Sequence, residues 1–132
     1  MSGLLDASVV VRFLARDHAE LSESAARLIR SDERLILTGV TIMEIGYVLT
    51  RTYGIPRALV VDSLVQLISA DNFDTYPAKK SITVDALAMC RDSGRASFAD
   101  AMLWAAAASR GDRVFTFDQR FPSAGTEVVV PA

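Results

Sequence analysis

Two kinds of hydrophobic pattern alternate along the chain. Short apolar runs of strand type occur at "GLLD", "RLILT", "NFDTYP", "RVFTFD" and "EVVVP". The segments between them repeat apolar residues every three or four positions, and in "ELSESAARLIRS" this places Leu21, Ala25 and Leu28 on one helical face. The segment "SVVVRFLARD" fits either an extension of the first strand or a helix, because Val9 and Phe13 are also spaced helically.

Glycine and proline residues mark where the predicted helices begin and end. "TIMEIGYVLTRTYG", "KKSITVDALAMCRDSG" and "SFADAMLWAAAASRGD" are helical patterns that stop at Gly54, Gly94 and Gly111, because glycine suits the left-handed conformation after a helix. Pro56 is placed to open the helix "RALVVDSLVQLISA". Strands separated by helices predict parallel pairing, and therefore a three-layer α/β/α sandwich with a central parallel sheet of four or five strands.

The composition is typical of one folded domain. The chain has 132 residues, of which 51% are hydrophobic and 23% charged, so it can bury a core and does not resemble a disordered protein. We therefore predict a single domain over residues 1–132. The net charge of −2 provides no basic excess. A nucleic-acid enzyme of this composition would need local basic residues or a metal ion to offset phosphate charge.

The N-terminal segment and the single cysteine predict a soluble cytoplasmic protein. "MSGLLDASVVVRFLARD" lacks the basic start of a signal peptide, and Asp6 and Arg12 interrupt its apolar run. No apolar run is long enough to span a membrane. Cys90 alone can form neither an intrachain disulfide nor a cysteine-based zinc site, and a free thiol suits a reducing compartment.

Four acidic residues occupy corresponding places in the predicted elements. Asp6 and Asp118 each follow a strand, whereas Glu44 and Asp100 fall in the first turn of a helix. Ligands of parallel α/β sheets bind beyond the carboxyl ends of the strands, which is where all four acids fall. Their neighbours in "LLDAS", "IMEIG", "FADAM" and "FTFDQ" are apolar or small, which predicts carboxylates near the core.

Each acid also has an ordinary structural interpretation. Thr41 and Glu44 have the spacing of a capping box, and Ser97 and Asp100 resemble the same device. The other two acids could be turn or cap residues after strands. Taken together, however, four convergent carboxylates require pairing or a cation, and Mg²⁺ or Mn²⁺ accepts oxygen ligands. Such a site suits metal-assisted hydrolysis of a phosphodiester.

Four segments, together with the order and spacing of the acids, resemble the PIN-domain ribonucleases, specifically the VapC-type toxins of bacterial toxin–antitoxin pairs. The segments are "LLDASVVVRFLARD", "TIMEIGYVLTRTYGIPR", "ASFADAMLWAAAASRG" and "VFTFDQRF", and the resemblance runs from Leu4 to Val130. It implies a Mg²⁺- or Mn²⁺-dependent endoribonuclease that cleaves RNA, is often a homodimer and is neutralised by a cognate antitoxin. The acidic site that it implies is Asp6, Glu44, Asp100 and Asp118.

The resemblance also implies roles for these side chains. Asp6, Asp100 and Asp118 would coordinate or position the metal, and Glu44 would either ligate it or orient the attacking water as a base. Two hydroxyl residues match positions of the family and would bond the carboxylates: Ser8 and Thr116. Many family members have Thr or Ser directly after the first Asp, where this chain departs with Ala7.

Three other classes fit the residues less well. A phosphotransfer enzyme of the haloacid dehalogenase kind needs a second acid where this chain has Ser8. A two-component receiver domain needs adjacent early acids and a lysine after a late strand, but the only lysines are Lys79 and Lys80. A PIN-fold module that binds RNA or a partner without cleavage stays an alternative, although all four acids are retained.

The other distinctive side chains have plainer interpretations. His18 is predicted at the surface, and Cys90 and Trp104 in the core. An apolar stripe between residues 41 and 70 is predicted to be mostly core, and the resemblance implies that part of it receives an antitoxin; it contains Tyr47, Leu49, Val60, Leu64 and Leu67. Four arginines could meet RNA phosphates or be solvated surface charge: Arg12, Arg16, Arg95 and Arg120.

Overall fold

A computed structural model describes residues 2–92 and 96–132, and Gly94 and Arg95 lie outside these ranges. Strands and helices alternate in the predicted order. The strands are β1 (Ser2–Leu4), β2 (Arg34–Thr38), β3 (Phe73–Tyr76), β4 (Val114–Phe115) and β5 (Val128–Val129). The helices are α1 (Ala7–Ala15), α2 (Ala19–Ile29), α3 (Gly39–Tyr47), α4 (Arg57–Ile68), α5 (Lys80–Arg91) and α6 (Phe98–Arg110), and a π-helical turn, Val48–Thr52, continues α3.

The strands pair in parallel, as predicted, but they form two sheets. β2 lies between β1 and β3, with Leu35 in register with both Gly3 and Phe73. β4 pairs with β5 apart from that sheet. Among the described residues the central sheet therefore has three strands, fewer than the four or five predicted, because the last two strands are two residues long and pair with each other.

The ambiguous segment after the first strand is a helix. Asp6 caps α1 by accepting the amide of Ser8, and the helix then buries Val10 and Val11. It ends at Arg16, which adopts the left-handed conformation with a φ of 53°. The short β1 therefore leads directly into α1, with Asp6 at the junction.

Helices α3 and α6 pack against each other at a glycine. A Cβ added to Gly46 would lie 2.6 Å from the ring of Phe98, so no larger residue fits without a shift. The predicted core positions Cys90 and Trp104 are buried, and the Trp104 Nε1 donates to the carbonyl of Ala124 at 3.0 Å. The contact between Gly46 and Phe98 fixes the position of α3 against the start of α6.

The predicted glycine stops are found where the structure describes them. Gly111 closes α6 with a φ of 74°, and Gly54 follows the π-helical turn with a φ of 65°. Pro56 is the cap residue immediately before α4. In the parts of the chain with described structure, no helix has the length and apolar character needed to cross a bilayer.

Candidate active site

Asp6 is held by the residue that the family resemblance places beside it. Its Oδ2 accepts the Ser8 hydroxyl at 2.6 Å and the Ser8 amide at 3.1 Å. These two hydrogen bonds, the hydroxyl first, hold the pKa of the Asp6 carboxyl below its usual value. Asp6 is thus both the cap of α1 and a carboxylate that stays charged at neutral pH.

Asp118 is positioned mainly through the main chain. Its amide donates to Thr116 Oγ1 at 3.0 Å, and its Oδ1 accepts the amide of Arg120 at 2.9 Å. Thr116 therefore contacts the backbone of Asp118, whereas the expected contact was with a carboxylate. Among residues 2–92 and 96–132, no hydrogen bond is made to the second carboxylate oxygen of Asp118.

Asp100 lies in the first turn of α6, as predicted. Ser97 is the cap residue, and its hydroxyl accepts the Asp100 amide at 3.0 Å. The Asp100 side chain is half-buried. The prediction that Ser97 caps this helix is therefore correct. The cap involves only the amide of Asp100 and not its carboxylate.

Glu44 lies one turn further into its helix than predicted. Thr38 caps α3 by accepting the Thr41 amide at 3.2 Å, and the helix begins at Gly39. The capping box predicted for Thr41 and Glu44 is wrong, because the earlier threonine at the end of β2 provides the cap. Glu44 has no role in starting the helix.

The expectation that the carboxylates lie near the core is wrong for three of them. Asp6, Glu44 and Asp118 are exposed. Their apolar neighbours do pack inside in several cases: Leu5, Ala7 and Ile45 are buried. Adjacent residues at a helix start or on a helix point in different directions, so a buried neighbour does not bury the acid.

The four candidate acids differ from the ion-paired acids of the protein. Salt bridges join arginines to five other acids: Asp17, Asp62, Asp92, Asp112 and Glu127. Within residues 2–92 and 96–132, none of the four candidates takes part in a salt bridge. Their charge is therefore not neutralised by an arginine or lysine that the structure describes.

The elements bring some of these acids closer together than others. Glu44 and Asp100 stand on α3 and α6, which pack together, and α1, which follows Asp6, also contacts α3. Asp118 follows β4, which belongs to the separate two-stranded sheet. Over the described ranges, no three His, Cys, Asp or Glu side chains are grouped so that they could hold a metal ion.

The chemistry of the donor set nevertheless fits a hard divalent cation. Asp6, Asp118 and Glu44 offer exposed carboxylate oxygens, and Asp100 adds another. Mg²⁺ uses one or two protein carboxylates and keeps several waters, so it does not need three carboxylates in direct contact. These residues could hold Mg²⁺ or Mn²⁺ by oxygen donors alone.

A cleft of ≈ 400 Å³ opens beside Glu44. Glu44 and Tyr47 line one side, Ser97 and Phe98 line another, and Arg57 lines it from the first turn of α4. The predicted core stripe is correct for Leu49, Val60, Leu64 and Leu67. Tyr47 is exposed instead. Its spacing of three residues from Glu44 is the sequence signal that could have placed it on the same helical face as that acid.

The remaining predicted side chains are accounted for by local contacts. His18 is exposed, as predicted, and its Nδ1 accepts the Leu21 amide at the start of α2. Burial raises the pKa of the Cys90 thiol to about 11, which keeps it protonated at neutral pH. Of the arginines considered for RNA contact, Arg12 is paired with Asp17, Arg16 and Arg120 are exposed, and Arg95 lies outside the described residues.

Ligands of parallel α/β folds bind beyond the carboxyl ends of the strands, and Asp6 and Asp118 follow strands here. The PIN domain family matches residues 3–127, which is nearly the whole chain, and the chain therefore belongs to the PIN domain family. This is a nuclease fold whose members commonly depend on divalent metal. A comparison with curated proteins finds no match.

Proposed function

We propose that this PIN domain is a Mg²⁺- or Mn²⁺-dependent endoribonuclease and the toxin of a VapC-type toxin–antitoxin pair. The observation that carries the proposal is the set Asp6, Glu44, Asp100 and Asp118. The family resemblance implies this order of acids, and no member of the set is ion-paired within the described ranges. Four acids without an ion-pair partner in the described ranges, on a chain of net charge −2, favour a bound cation over a direct role in binding an anion.

Each candidate side chain has a proposed role in metal binding or catalysis. Asp6, Asp100 and Asp118 would hold the ion, and Glu44 would either join them or orient the attacking water as a base. A bound divalent ion supplies a more acidic water and stabilises charge on the phosphate. The Ser8 hydroxyl lowers the pKa of Asp6 and fixes the orientation of its carboxylate, which is ionised at neutral pH.

The proposal extends to the setting of the enzyme. The substrate is RNA, the neutralising partner is a cognate antitoxin protein, and the active form is a homodimer in the cytoplasm. The modest charge of the chain supports a local rather than a broad contact with RNA. A small DNA-binding protein encoded beside this chain would support the toxin assignment over a stand-alone nuclease.

Cleavage assays on the purified chain test this function directly. Labelled RNA is incubated with Mg²⁺, with Mn²⁺ and with EDTA, and Asp100→Asn is compared with the matched control Asp112→Asn. Asp112 follows the other end of α6 and is paired with Arg110 at 2.6 Å. We expect metal-dependent cleavage that is lost only in folded Asp100→Asn. Equal activity in both variants would contradict the proposal.

One observation favours a second candidate, a PIN-fold module that binds RNA or a partner without cutting. Within the described parts of the chain, no three carboxylates are grouped for a metal ion. On this alternative the well-folded protein binds RNA with the same affinity in Mg²⁺ and in EDTA, and no product appears. Calorimetric titration of Mn²⁺ separates the two candidates, because only the enzyme needs a site that binds the ion.

A further inference from the structure

An exposed helical stripe that contains Glu44 also carries three side chains with no part in the proposed hydrolysis. Val40, Glu44, Tyr47 and Arg51 follow one another at spacings of four, three and four residues, so they share one side of α3 and its π-helical continuation. All four line the cleft that also contains the start of α6. Tyr47 is 60% exposed and Val40 is 70% exposed, so neither is explained by core packing.

Two arginines give this cleft a positive charge. The Arg51 guanidinium carbon lies 5.8 Å from the centroid of the Tyr47 ring, and that of Arg57 lies 5.7 Å from the Phe98 ring. Both distances allow cation–π attraction. With two arginines and Glu44 in its lining, the cleft has a net positive charge although the whole chain is acidic.

The two arginines of the cleft differ in their contacts. Arg57 donates to the carbonyl of Ala96 at 2.9 Å, which ties α4 to the segment before α6. Arg51 is exposed, and in the described portions of the chain it forms no salt bridge. Arg51 therefore combines an available charge with a neighbouring aromatic ring.

The backbone at this place is also unusual. The turn Val48–Thr52 is π-helical, and such turns are rare and frequently occur at functional sites. The Thr50 hydroxyl donates to the carbonyl of Gly46 at 2.7 Å. The π-helical turn begins directly after Tyr47 and contains Arg51, whose guanidinium lies beside the Tyr47 ring.

We propose that this cleft binds an unpaired nucleobase of the RNA, with the base stacked on Tyr47 and an adjoining phosphate held by Arg51. The inference rests on the proposed function, because a base bound beside Glu44 places its own strand next to the candidate acids. Single-stranded RNA is recognised by stacking on aromatic rings and arginine planes. A purely apolar segment of the antitoxin that the resemblance implies for this region would leave the guanidinium of Arg51 without an anionic partner, whereas an RNA strand supplies both a ring and a phosphate.

RNA binding in a non-cleaving background tests the subsite. All proteins carry Asp100→Asn, and the affinity for a short, unstructured, fluorescein-labelled RNA is measured by anisotropy. Tyr47→Ala is compared with Tyr47→Phe, which keeps the ring, and with Tyr76→Ala, which removes a tyrosine that is 65% exposed and does not line the cleft. We expect Tyr47→Ala alone to weaken binding, by about 5- to 150-fold.

Salt dependence tests the phosphate contact independently. Arg51→Ala is expected to reduce the slope of log K against log salt concentration by about 0.7, the value for one phosphate contact on a single strand, and Arg51→Lys is expected to preserve it. An unchanged slope in Arg51→Ala would remove the phosphate contact from the proposal.

The possible results separate this inference from the proposed function. If the unmutated chain cleaves RNA and Tyr47→Ala binds as tightly as Tyr47→Phe, the base subsite is wrong while the nuclease stands, and a peptide segment becomes the better occupant. If the unmutated chain neither cleaves nor binds RNA, both proposals fail. Selective loss of binding in folded Tyr47→Ala, checked by circular dichroism, supports the subsite.

Discussion

Two aspartates near the first helix are held in different ways. Asp17 accepts Arg12 Nη1 at 2.9 Å and the Tyr53 hydroxyl at 2.6 Å. Asp6 accepts a hydroxyl and an amide from Ser8, and within residues 2–92 and 96–132 it has no salt-bridge partner. An arginine neutralises the carboxylate that it binds, whereas a hydroxyl stabilises the charge and leaves it in place.

The pKa values alone do not separate these two environments. The pKa of Asp17 is lowered, chiefly by the Tyr53 hydroxyl and then by Arg12, and the pKa of Asp6 is lowered by Ser8. Hydrogen bonds to a carboxylate favour its charged form as ionic partners do. The charge of the partner is therefore the useful distinction, because Asp17 is paired with an arginine whereas Asp6 has no cationic partner in the described part of the chain.

The largest effect is expected in the comparison of RNA cleavage by Asp6→Asn and Asp17→Asn. Asn is a good helix cap, so Asp6→Asn should preserve α1 and stability while removing the charge. We expect RNA cleavage, as kcat/KM, to fall at least about 100-fold in Asp6→Asn. Asp17→Asn should cleave at close to the unmutated rate and show a lower Tm.

Activity and thermal melting are measured on the same preparations of these two variants. Equal loss of activity in both variants would contradict the distinction between the two aspartates. Unfolding of Asp6→Asn would contradict it as well, because Asp6 would then act only as a structural cap.

The next effect concerns the contact that sets the acids on α3 and α6. Gly46→Ala forces a Cβ against the Phe98 ring, and overpacking of this kind lowers the free energy of unfolding by about 1–3 kcal/mol. Cleavage should fall as well, because Glu44 and Asp100 stand on the two displaced helices. Urea unfolding measures the first effect and kcat/KM the second.

Gly3→Ala is the matched control, because a Cβ at Gly3 meets nothing within 4 Å. Its stability and activity should stay near those of the unmutated chain. If Gly46→Ala were as stable as Gly3→Ala, the α3–α6 contact would not be the rigid support that we infer.

Features set by neighbouring residues were predictable from the sequence. The five strand positions, the cap at Ser97 and the glycine at the end of α6 depend on short-range patterns, and the structure has all of them. The start of α3 was predicted too late. Both Thr38 and Thr41 carry a hydroxyl suited to a cap, and only the end of β2 decides between them.

Features set by packing between distant segments were not predictable. Nothing local to "RVFTFD" or "EVVVP" shows that the last two strands pair apart from the central sheet. The exposure of Glu44 and Tyr47 depends on where α6 and α4 lie, not on their apolar neighbours. The resemblance could name the four acids, but their spatial arrangement required the fold.

A smaller effect tests the structural side of the comparison. Tyr53→Phe removes the hydroxyl that Asp17 accepts and so loosens the link between the α1–α2 turn and the segment after α3. We expect a Tm below that of the unmutated chain, a smaller loss than in Gly46→Ala, and unchanged cleavage. Because the pKa of Asp17 is lowered in the folded state, this loss should be present at neutral pH and shrink in acid as Asp17 is protonated. A loss that is the same at both pH values would contradict the assignment.

The smallest effect tests what lowers the pKa of Asp6. Ser8→Ala removes the strongest of its hydrogen bonds and retains the amide, so the Asp6 pKa should rise toward its ordinary value of 3.8, whereas Ser8→Thr should leave it low. A carboxyl whose pKa is lowered on folding stabilises the protein above its unfolded pKa, and this stability is lost as the pH falls through the folded value. Carbon-detected NMR titration without divalent metal measures the pKa directly. If the pKa were equal in Ser8→Ala and Ser8→Thr, the hydroxyl would not be what lowers the pKa of Asp6, and the distinction between Asp6 and Asp17 would rest on the arginine alone.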